Sequence, residues 1–496
     1  MGKNVMHTEL APFCRGGDLY FVGTKEENCH ILKTSEGLIM IDVGSEPNLP
    51  FVLDGMEKLG LALQDLKILL LSHWHGDHSA AVPLLRRACR QAGGDFKVLI
   101  GERDVPYLNF PPDAVIRDGD VITLGETKIR CVASPGHTAG TTSFFFTIET
   151  GGRTVRCGMF GGAGTGQLAH DFLEGRKLSR LMRREYFATL EKLKKEPVEM
   201  LVGNHTWNDK LPETYALWEK RDFDEKENPF IDPARWQTFL IGCRKKLLDV
   251  IASETVAHFV NYAHRGRSDI YHGNTMPAFL AGVEARANGI ETDLRRTADG
   301  VLILFHDKTL KGLGQPDRAV SEVSFEELTE MMTAAWGEAY RPVTAETFLR
   351  TFGPLDLSLA LELKEAGIAE ETVALARRYA KRKNVTFTSF TPAYLDEVHA
   401  LAPDWHLGQL VKAGTAADAD MDAFFARGVE EICPFAGDID PDFVSRWHEG
   451  GFTVRAWGVS DEETMRRLVE AGVDGITVNF PQKLTALLDE RNALRG

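Results

Sequence analysis

The sequence predicts an α/β protein of two domains: a first half that mixes short strands with helices, and a second half that closes as a TIM (β/α)8 barrel. Three observations carry this. At 496 residues the chain exceeds the size at which one hydrophobic core stops growing, so two or three domains are expected. Its 43% hydrophobic and 26% charged residues are ordinary for a globular protein and exclude disorder, collagen and coiled-coil rods. After Ala257, apolar strand-sized runs alternate with helical patterns, the rhythm of parallel βα units.

In the first half, Glu27–Thr34 and Leu38–Val43 flank Ser35-Glu36-Gly37, a hairpin signature. A helical pattern covers Phe51–Leu59, and Leu66–Leu71 is an apolar run suited to a buried strand. Mixed elements continue to about Gly203. From Thr206 to about Thr255 the chain turns polar, with one amphipathic helix around Trp236–Ile251. The boundary is placed here, giving domains 1–250 and 256–496. Trp207, Trp218 and Trp236 are expected to pack this linker onto a domain, and Leu190–Lys195 reads as a solvated helix face.

The second half offers strand candidates at His258–Tyr262, Gly289–Leu294, Val301–Phe305, Leu357–Leu363, Val385–Ser389, Trp405–Leu410, Glu430–Cys433, Thr453–Trp457 and Gly475–Val478. Nine are one too many for an eight-stranded barrel. Thr297-Ala298-Asp299-Gly300 joins the second to the third, and Asp-Gly marks a hairpin, so one strand is expected to be an antiparallel extra.

Charge and cysteine usage narrow the partners. With 72 acidic and 57 basic side chains the chain carries −15 at pH 7, a field that repels phosphate backbones, so no nucleic-acid partner is expected. No apolar run reaches the 18 residues of a membrane span, and the N-terminus lacks the apolar segment of a secretory signal. Seven scattered cysteines with no C-x-x-C read as thiols of a reducing compartment, hence a cytoplasmic location. The oligomeric state is left open.

The strongest local signal is Ser72-His73-Trp74-His75-Gly76-Asp77-His78, directly after the buried strand. His73 and His75 alternate along extended backbone, so both can face one cation, while Asp77 and His78 turn toward a second. Such a nitrogen-rich set suits zinc, which needs neutral imidazoles and ionised carboxylate. His137 in Ser134-Pro135-Gly136-His137-Thr138 and His205 in Leu201-Val202-Gly203-Asn204-His205 each follow an apolar strand, where ligands can converge. Trp74, between two candidate ligands, is placed equally at the mouth of the site and in a structural role.

The pattern His73-x-His75-x-Asp77-His78, His137 and His205, with Tyr20-Phe21-Val22-Gly23-Thr24 and Ile39–Asp42-Val43-Gly44, resembles the metallo-β-lactamase superfamily over roughly residues 10–250. The resemblance implies an αβ/βα sandwich with two Zn²⁺ ions: His73, His75 and His137 on one, Asp77, His78 and His205 on the other. Asp77 is also taken as a catalytic candidate. Many members carry an Asp or Cys after the strand that follows the His137 loop. This chain has Cys157-Gly158-Met159-Phe160-Gly161-Gly162-Ala163-Gly164 there, with no carboxylate and with Cys157 too early. It thus looks like the subclass whose ligands are histidines and one aspartate. Zinc lowers the pKa of its water to about 7, so hydrolysis of an ester, lactone, amide or phosphoester is expected. Antibiotic hydrolysis is disfavoured by glycines where the lactamases of that subclass carry serines. The stretch Gly161–Gly166 lacks the Gly-Lys-Ser/Thr ending of a phosphate loop and reads as a tight turn.

In the second half, successive strands end in Ala263-His264-Arg265-Gly266, Glu291-Thr292-Asp293, Phe305-His306-Asp307 and Glu362-Leu363-Lys364. Polar residues at C-terminal strand ends of a βα barrel face the active-site mouth. Glu291 and Asp293, two apart, share one side of a strand. With Glu362 they form an oxygen-rich pocket for one hard cation, Mg²⁺ or Ca²⁺. His264 and His306 are the acid and base candidates, and Arg265 offers a fork for phosphate oxygens. This equipment suits cleavage of a small phosphodiester.

The set, with Asn274-Thr275, Thr388-Ser389-Phe390, Trp457 and Gly472-Val473-Asp474-Gly475-Ile476, resembles the glycerophosphodiester phosphodiesterase family over about residues 257–490. That implies a TIM barrel with catalytic His264 and His306, metal ligands Glu291, Asp293 and Glu362, phosphate contacts from Arg265 and Lys364, and a role in lipid metabolism. Three places depart from the family: Gly273 where glutamate is common, Trp457-Gly458-Val459-Ser460 for W-T-V-N, and Asn479-Phe480-Pro481 for T-D-x-P. They bear on the alcohol rather than on the chemistry. The expected protein is therefore a fusion of two hydrolases. The alternatives are a first half that binds or scaffolds without turnover, and a phospholipase-D-like lyase barrel that yields a cyclic phosphate.

Overall fold

The computed structural model describes residues 10–220 and 228–493. The chain divides into two compact units, Met1–Leu168 with Met182–Leu247, and Ala169–Leu181 with Leu248–Gly496. The division falls inside the helix Pro233–Ala257, near the boundary drawn from composition. The excursion Ala169–Leu181 groups with the second unit, and nothing in its local sequence marks it.

The first unit contains two sheets. Strands β1 (Phe13–Gly16), β2 (Leu19–Phe21), β3 (His30–Thr34), β4 (Gly37–Ile41), β5 (Leu66–Leu71), β6 (Lys97–Gly101) and β7 (Ala114–Ile116) lie in sequence order in a seven-stranded sheet, antiparallel as far as β4 and parallel after it. Strands β8 (Val121–Leu124), β9 (Thr127–Ala133), β10 (Thr142–Thr150), β11 (Arg153–Met159) and β12 (Met200–Leu201) form the second, with β12 parallel to β11. Leu70 faces inward with Phe21 and Ile39 against Phe144 and Cys157 of the second sheet. Its neighbours Leu69 and Leu71 face the helices Leu49–Lys58 and Val82–Gln91 through Val52, Met56 and Leu85. A strand covered on both faces must be apolar on both, which is why β5 shows no alternation. On the far side, Phe145 packs edge-on against Trp236 of the long helix, with ring centroids 5.9 Å apart. The unit is the expected αβ/βα sandwich.

Of the three tryptophans expected to pack, Trp207 alone departs from expectation. Trp236 is fully buried and donates to the Leu193 carbonyl at 3.0 Å, and Trp218 packs on Phe13. Trp207 is 54% exposed and lies over His205 instead. Leu190 and Leu193 are buried, so in the segment read as solvated only the polar side chains face outward.

The second unit is a closed barrel of eight parallel strands: β13 (Val260–His264), β14 (Gly289–Arg296), β18 (Ser358–Leu363), β19 (Val385–Ser389), β20 (His406–Leu410), β21 (Glu431–Cys433), β22 (Thr453–Ala456) and β23 (Gly475–Val478). Pairing of β13 with both β14 and β23 closes it. The extra strand β15 (Leu302–Leu304) runs antiparallel to β14, Leu294 opposite Leu304, as the Asp299-Gly300 turn predicts. A two-stranded ribbon, β16 (Thr309–Leu310) and β17 (Gln315–Ala319), follows. The helices Met421–Ala426, Pro441–Glu449 and Glu462–Ala471 start at Asp420, Asp440 and Asp461, whose carboxylates accept otherwise unpaired N–H groups of the first turn.

Candidate functional site

In the first unit, β5 runs out into extended backbone through His73 and then into the one-turn helix Gly76–Ser79. His137 comes from the β9–β10 loop. Its ring lies against Gly162, where a Cβ would stand 2.7 Å from the His137 side chain, and its Nδ1 donates to the Gly164 carbonyl at 2.8 Å. That bond leaves Nε2 with its lone pair, 3.1 Å from His75 Nδ1 and 3.2 Å from His73 Nε2.

A second group adjoins it. His78 donates from Nδ1 to Asp42 Oδ2 at 2.9 Å and presents Nε2 at 3.2 Å from His205 Nε2 and 3.4 Å from Asp77 Oδ2. His205 lies 3.5 Å from the same Asp77 oxygen and donates its Nδ1 to the Glu26 carbonyl at 2.8 Å. Donors on a tetrahedral zinc with arms of about 2.0–2.1 Å stand about 3.3 Å apart. Both groups have this spacing, and the outward ring nitrogens of His73, His78, His137 and His205 each have a partner that directs the inner one inward. The residues therefore fit a pair of metal ions. His73 also approaches Asp77 and His78, so the groups share an edge.

Electrostatics agrees with this. Burial first, and then the neighbouring imidazoles, hold His73 well below its ordinary value and His137 at about 3; burial and His78 hold His205 at about 4. These rings are neutral and ready to ligate. His78 goes the other way: against burial, Asp42 and then Asp77 lift it to about 10. Against burial, the His78 and His205 rings keep Asp77 ionised.

Two supporting carboxylates have no role assigned from the sequence, although Asp42 lies in the Ile39–Asp42-Val43-Gly44 stretch quoted above. Asp42, buried at the end of β4, accepts from the Ser72 N–H and hydroxyl, each at 2.7 Å, as well as from His78. Asp104 accepts from Trp74 N–H at 3.1 Å, the Thr138 hydroxyl at 2.7 Å and Gly140 N–H at 2.6 Å, tying the His73–His75 loop to the His137 loop. Burial pushes Asp104 up to about 6. Trp74 stacks on Tyr107, centroids 5.2 Å apart, beside His75.

In the barrel, His264 ends β13, Glu291 and Asp293 lie on β14, Glu362 on β18 with Lys364 just beyond, and His306 follows β15. Register sets His264 beside Glu291 and Asp293 beside Glu362. The three carboxylates bring one oxygen each within 4.8 Å of one another. Asp293 binds Lys364 at 3.1 Å and Arg265 at 3.2 Å, and accepts from Asn274 at 2.8 Å. Lys364 also holds Glu362 at 2.8 Å. Glu291 Oε2 is buried with no hydrogen-bond partner among the described residues, 3.8 Å from His264 Nε2. An orphaned carboxylate oxygen in an all-oxygen cluster fits a hard divalent cation.

Burial, then the neighbouring carboxylates, pushes Glu291 and Glu362 up, while Lys364 and Arg265, working against burial, keep Asp293 ionised. Burial and Arg265 hold His264 at about 4, and burial lowers His306. The outer nitrogens differ in partner: His264 Nδ1 meets Asn479 Oδ1 and His306 Nδ1 meets Asp307 Oδ1, both at 2.6 Å. Arg265 and Asn274 adopt left-handed backbone, φ 57° and 60°, strain that turns both side chains toward Asp293. At Gly273 a Cβ would press on Arg265 at 2.9 Å, which accounts for glycine there. A cavity of about 230 Å³ opens over His264, Arg265, Glu291, His306, Glu362 and Lys364.

Comparison with known proteins agrees for both halves. The model of the glycerophosphoryl diester phosphodiesterase family matches residues 264–483, and that of the metallo-beta-lactamase superfamily matches residues 22–151. A glycerophosphodiester phosphodiesterase of Caldanaerobacter subterraneus is 29% identical over 235 residues, 46% of this chain and 96% of the relative. The uncharacterized protein YqiK of Bacillus subtilis is 30% identical over 239 residues, 46% of this chain and 97% of the relative. Among solved structures, BJP-1, a subclass B3 metallo-beta-lactamase of Bradyrhizobium japonicum, is 26% identical with a TM-score of 0.44, covering 50% of this chain and 97% of that one. The chain belongs to the glycerophosphoryl diester phosphodiesterase family through its second half, and residues 22–151 of its first half match the model of the metallo-beta-lactamase superfamily.

Proposed function

We propose that the barrel, residues 256–496, hydrolyses glycerophosphodiesters to glycerol 3-phosphate and an alcohol. The observation that carries this is the cavity where His264 and His306 meet Glu291, Asp293, Glu362, Arg265 and Lys364. Glu291, Asp293 and Glu362 would hold one Mg²⁺ or Ca²⁺, which supplies Lewis acidity toward the phosphate oxygens. Arg265 and Lys364 bind those oxygens and offset the charge that gathers on them. One histidine takes the proton of the attacking water as its oxygen bonds to phosphorus. The other gives a proton to the alkoxide as the phosphorus–oxygen bond breaks. Purified protein with glycerophosphocholine and Mg²⁺ or Ca²⁺ is expected to release glycerol 3-phosphate, with His306→Ala slower by about 10²-fold or more. Equal rates from both proteins would remove His306 from the chemistry.

The first domain, residues 1–250, is assigned to hydrolysis of an ester, lactone, amide or phosphoester at two zinc ions. His73, His75 and His137 would hold one and Asp77, His78 and His205 the other; zinc supplies Lewis acidity there. The tetrahedral spacing of both donor groups supports this. Asp77 is also the catalytic candidate of this domain. Metal analysis tests the assignment. About two zinc per chain, falling in His137→Ala, supports it, and none supports a binding module. No helix among the described residues is long and apolar enough to cross a membrane, and none of the seven cysteines is in a disulfide. The enzyme is read as a cytoplasmic one acting on small-molecule phosphodiesters, and the formal charge of −15 argues against a nucleic-acid partner.

A further inference from the structure

Around the barrel, the arc β13–β14–β18 carries the phosphate equipment, and the arc β19–β22 faces it across the mouth. The facing arc is aromatic. Phe390, just beyond β19, meets Trp457 edge to face, centroids 5.4 Å apart at 89°, and Phe435, just beyond β21, meets it from the other side at 5.3 Å and 63°. All three rings are partly exposed. Phe390, Trp457, Leu410 and Val459 line the cavity. Backbone bonds between Trp457 and the Pro434–Ala436 segment fix the Phe435–Trp457 corner. Gly458 permits it: its φ is 75°, and a Cβ there would stand 2.6 Å from the Phe435 ring.

We propose that the wall of Phe390 and Trp457, backed by Phe435, is the subsite for a quaternary ammonium alcohol, so that the enzyme prefers choline-type diesters. This rests on the diesterase reading of the barrel. The wall itself has aromatic faces, and its one side-chain hydrogen-bonding group, the Trp457 indole N–H, is already given to the Val411 carbonyl at 3.1 Å. The Thr388 hydroxyl, unpaired among the described residues, lies in another part of the lining, on β19 beside Glu362. A primary ammonium or a polyol would leave its N–H or O–H groups unpaired there, a desolvation cost. A trimethylammonium has none to pair and gains the attraction of a cation for π faces. The guanidinium one layer below, Arg455, is neutralised by Glu431 at 3.1 Å and also bonded to Thr477 and Cys433, so it does not oppose the cation with an uncompensated charge. The cavity of about 230 Å³ falls short of the roughly 300–1,000 Å³ of drug-sized sites and suits a headgroup, not a diacylglycerol.

The test compares kcat/KM of the full chain, with its divalent cation, for glycerophosphocholine and glycerophosphoethanolamine. We expect about a tenfold preference for choline, the scale of a desolvated cation–π contact, and a ratio near one in Trp457→Leu, which keeps an apolar side chain without the π face. In the unmutated protein, tetramethylammonium is expected to inhibit competitively at concentrations where neopentyl alcohol does not. Equal or better use of ethanolamine, or equal inhibition by neopentyl alcohol, would overturn the subsite alone. Turnover of neither diester would overturn the diesterase reading together with it.

Discussion

His264 Nδ1 lies 2.6 Å from Asn479 Oδ1, so this ring is steadied by a neutral amide. The bond makes Nδ1 the donor and leaves Nε2, on the side of Glu291, to exchange a proton with the reaction. Asn479→Asp would place a negative charge at that contact. The limb of the pH–rate profile governed by His264, which burial holds at about 4, is expected to move to higher pH by on the order of one unit. Asn479→Ala is expected to lower kcat about tenfold with little change in KM, because a partner that orients the ring is lost.

Metal uptake by the barrel should release protons. Burial and mutual repulsion push Glu291 and Glu362 up, so near neutrality they hold protons that a cation must displace. Divalent-cation affinity is therefore expected to rise with pH through the neutral range. Calorimetry in buffers of different ionisation enthalpy should detect proton release, and Glu291→Gln should diminish it.

Asp42 is expected to govern the second zinc. It accepts from His78 and from Ser72 while buried, so Asp42→Ala removes the group that aims the His78 ring. A loss of about 10–100-fold in metal affinity is expected, read as a fall in zinc per chain after dialysis. In the metal-free protein His78 is lifted to about 10 by Asp42 and Asp77. Protons then compete with the ion, and zinc uptake should weaken as pH falls.

A buried ion-pair network gives the second unit a pH-dependent stability. His406, at the start of β20, lies 2.9 Å from Glu174 and 2.7 Å from Glu430, and Arg382 holds Glu174 at 3.0 Å. Against burial, Glu430 and Glu174 raise His406 to about 9, and against burial His406 lowers Glu430 to about 2. The His406 contribution is thus complete below the ordinary histidine pKa of about 6.5 and is lost as pH rises through about 9. The Glu430 contribution is present above the ordinary glutamate value and is lost as pH falls toward 2. His406→Ala should leave two buried carboxylates short of a partner and lower the melting temperature at pH 6 more than at pH 10.

Much of both candidate centres was legible because the candidate ligands sit at strand ends, and strands announce themselves by apolar runs. The motif His73-x-His75-x-Asp77-His78 and the barrel's strand-end carboxylates needed only local spacing to be found. Partners contributed from far along the chain did not show. Asp42, Asp104 and the Gly164 carbonyl act through contacts spanning 27 to 36 residues, and a single aspartate or glycine in a loop carries no periodic signal. Trp207, expected as packing, lies flat on His205, two residues before it, at 3.9 Å. The excursion Ala169–Leu181 was invisible for a similar reason: its anchors, His406 and Glu430, lie more than 200 residues downstream.

The most direct test of the central claim is phosphorus NMR of the product formed from glycerophosphocholine by the full chain with Mg²⁺ or Ca²⁺. The account predicts one new resonance, that of the monoester glycerol 3-phosphate, absent after chelation of the metal and restored when it is returned. A cyclic glycerophosphate as the end product, or turnover indifferent to chelation, would contradict it.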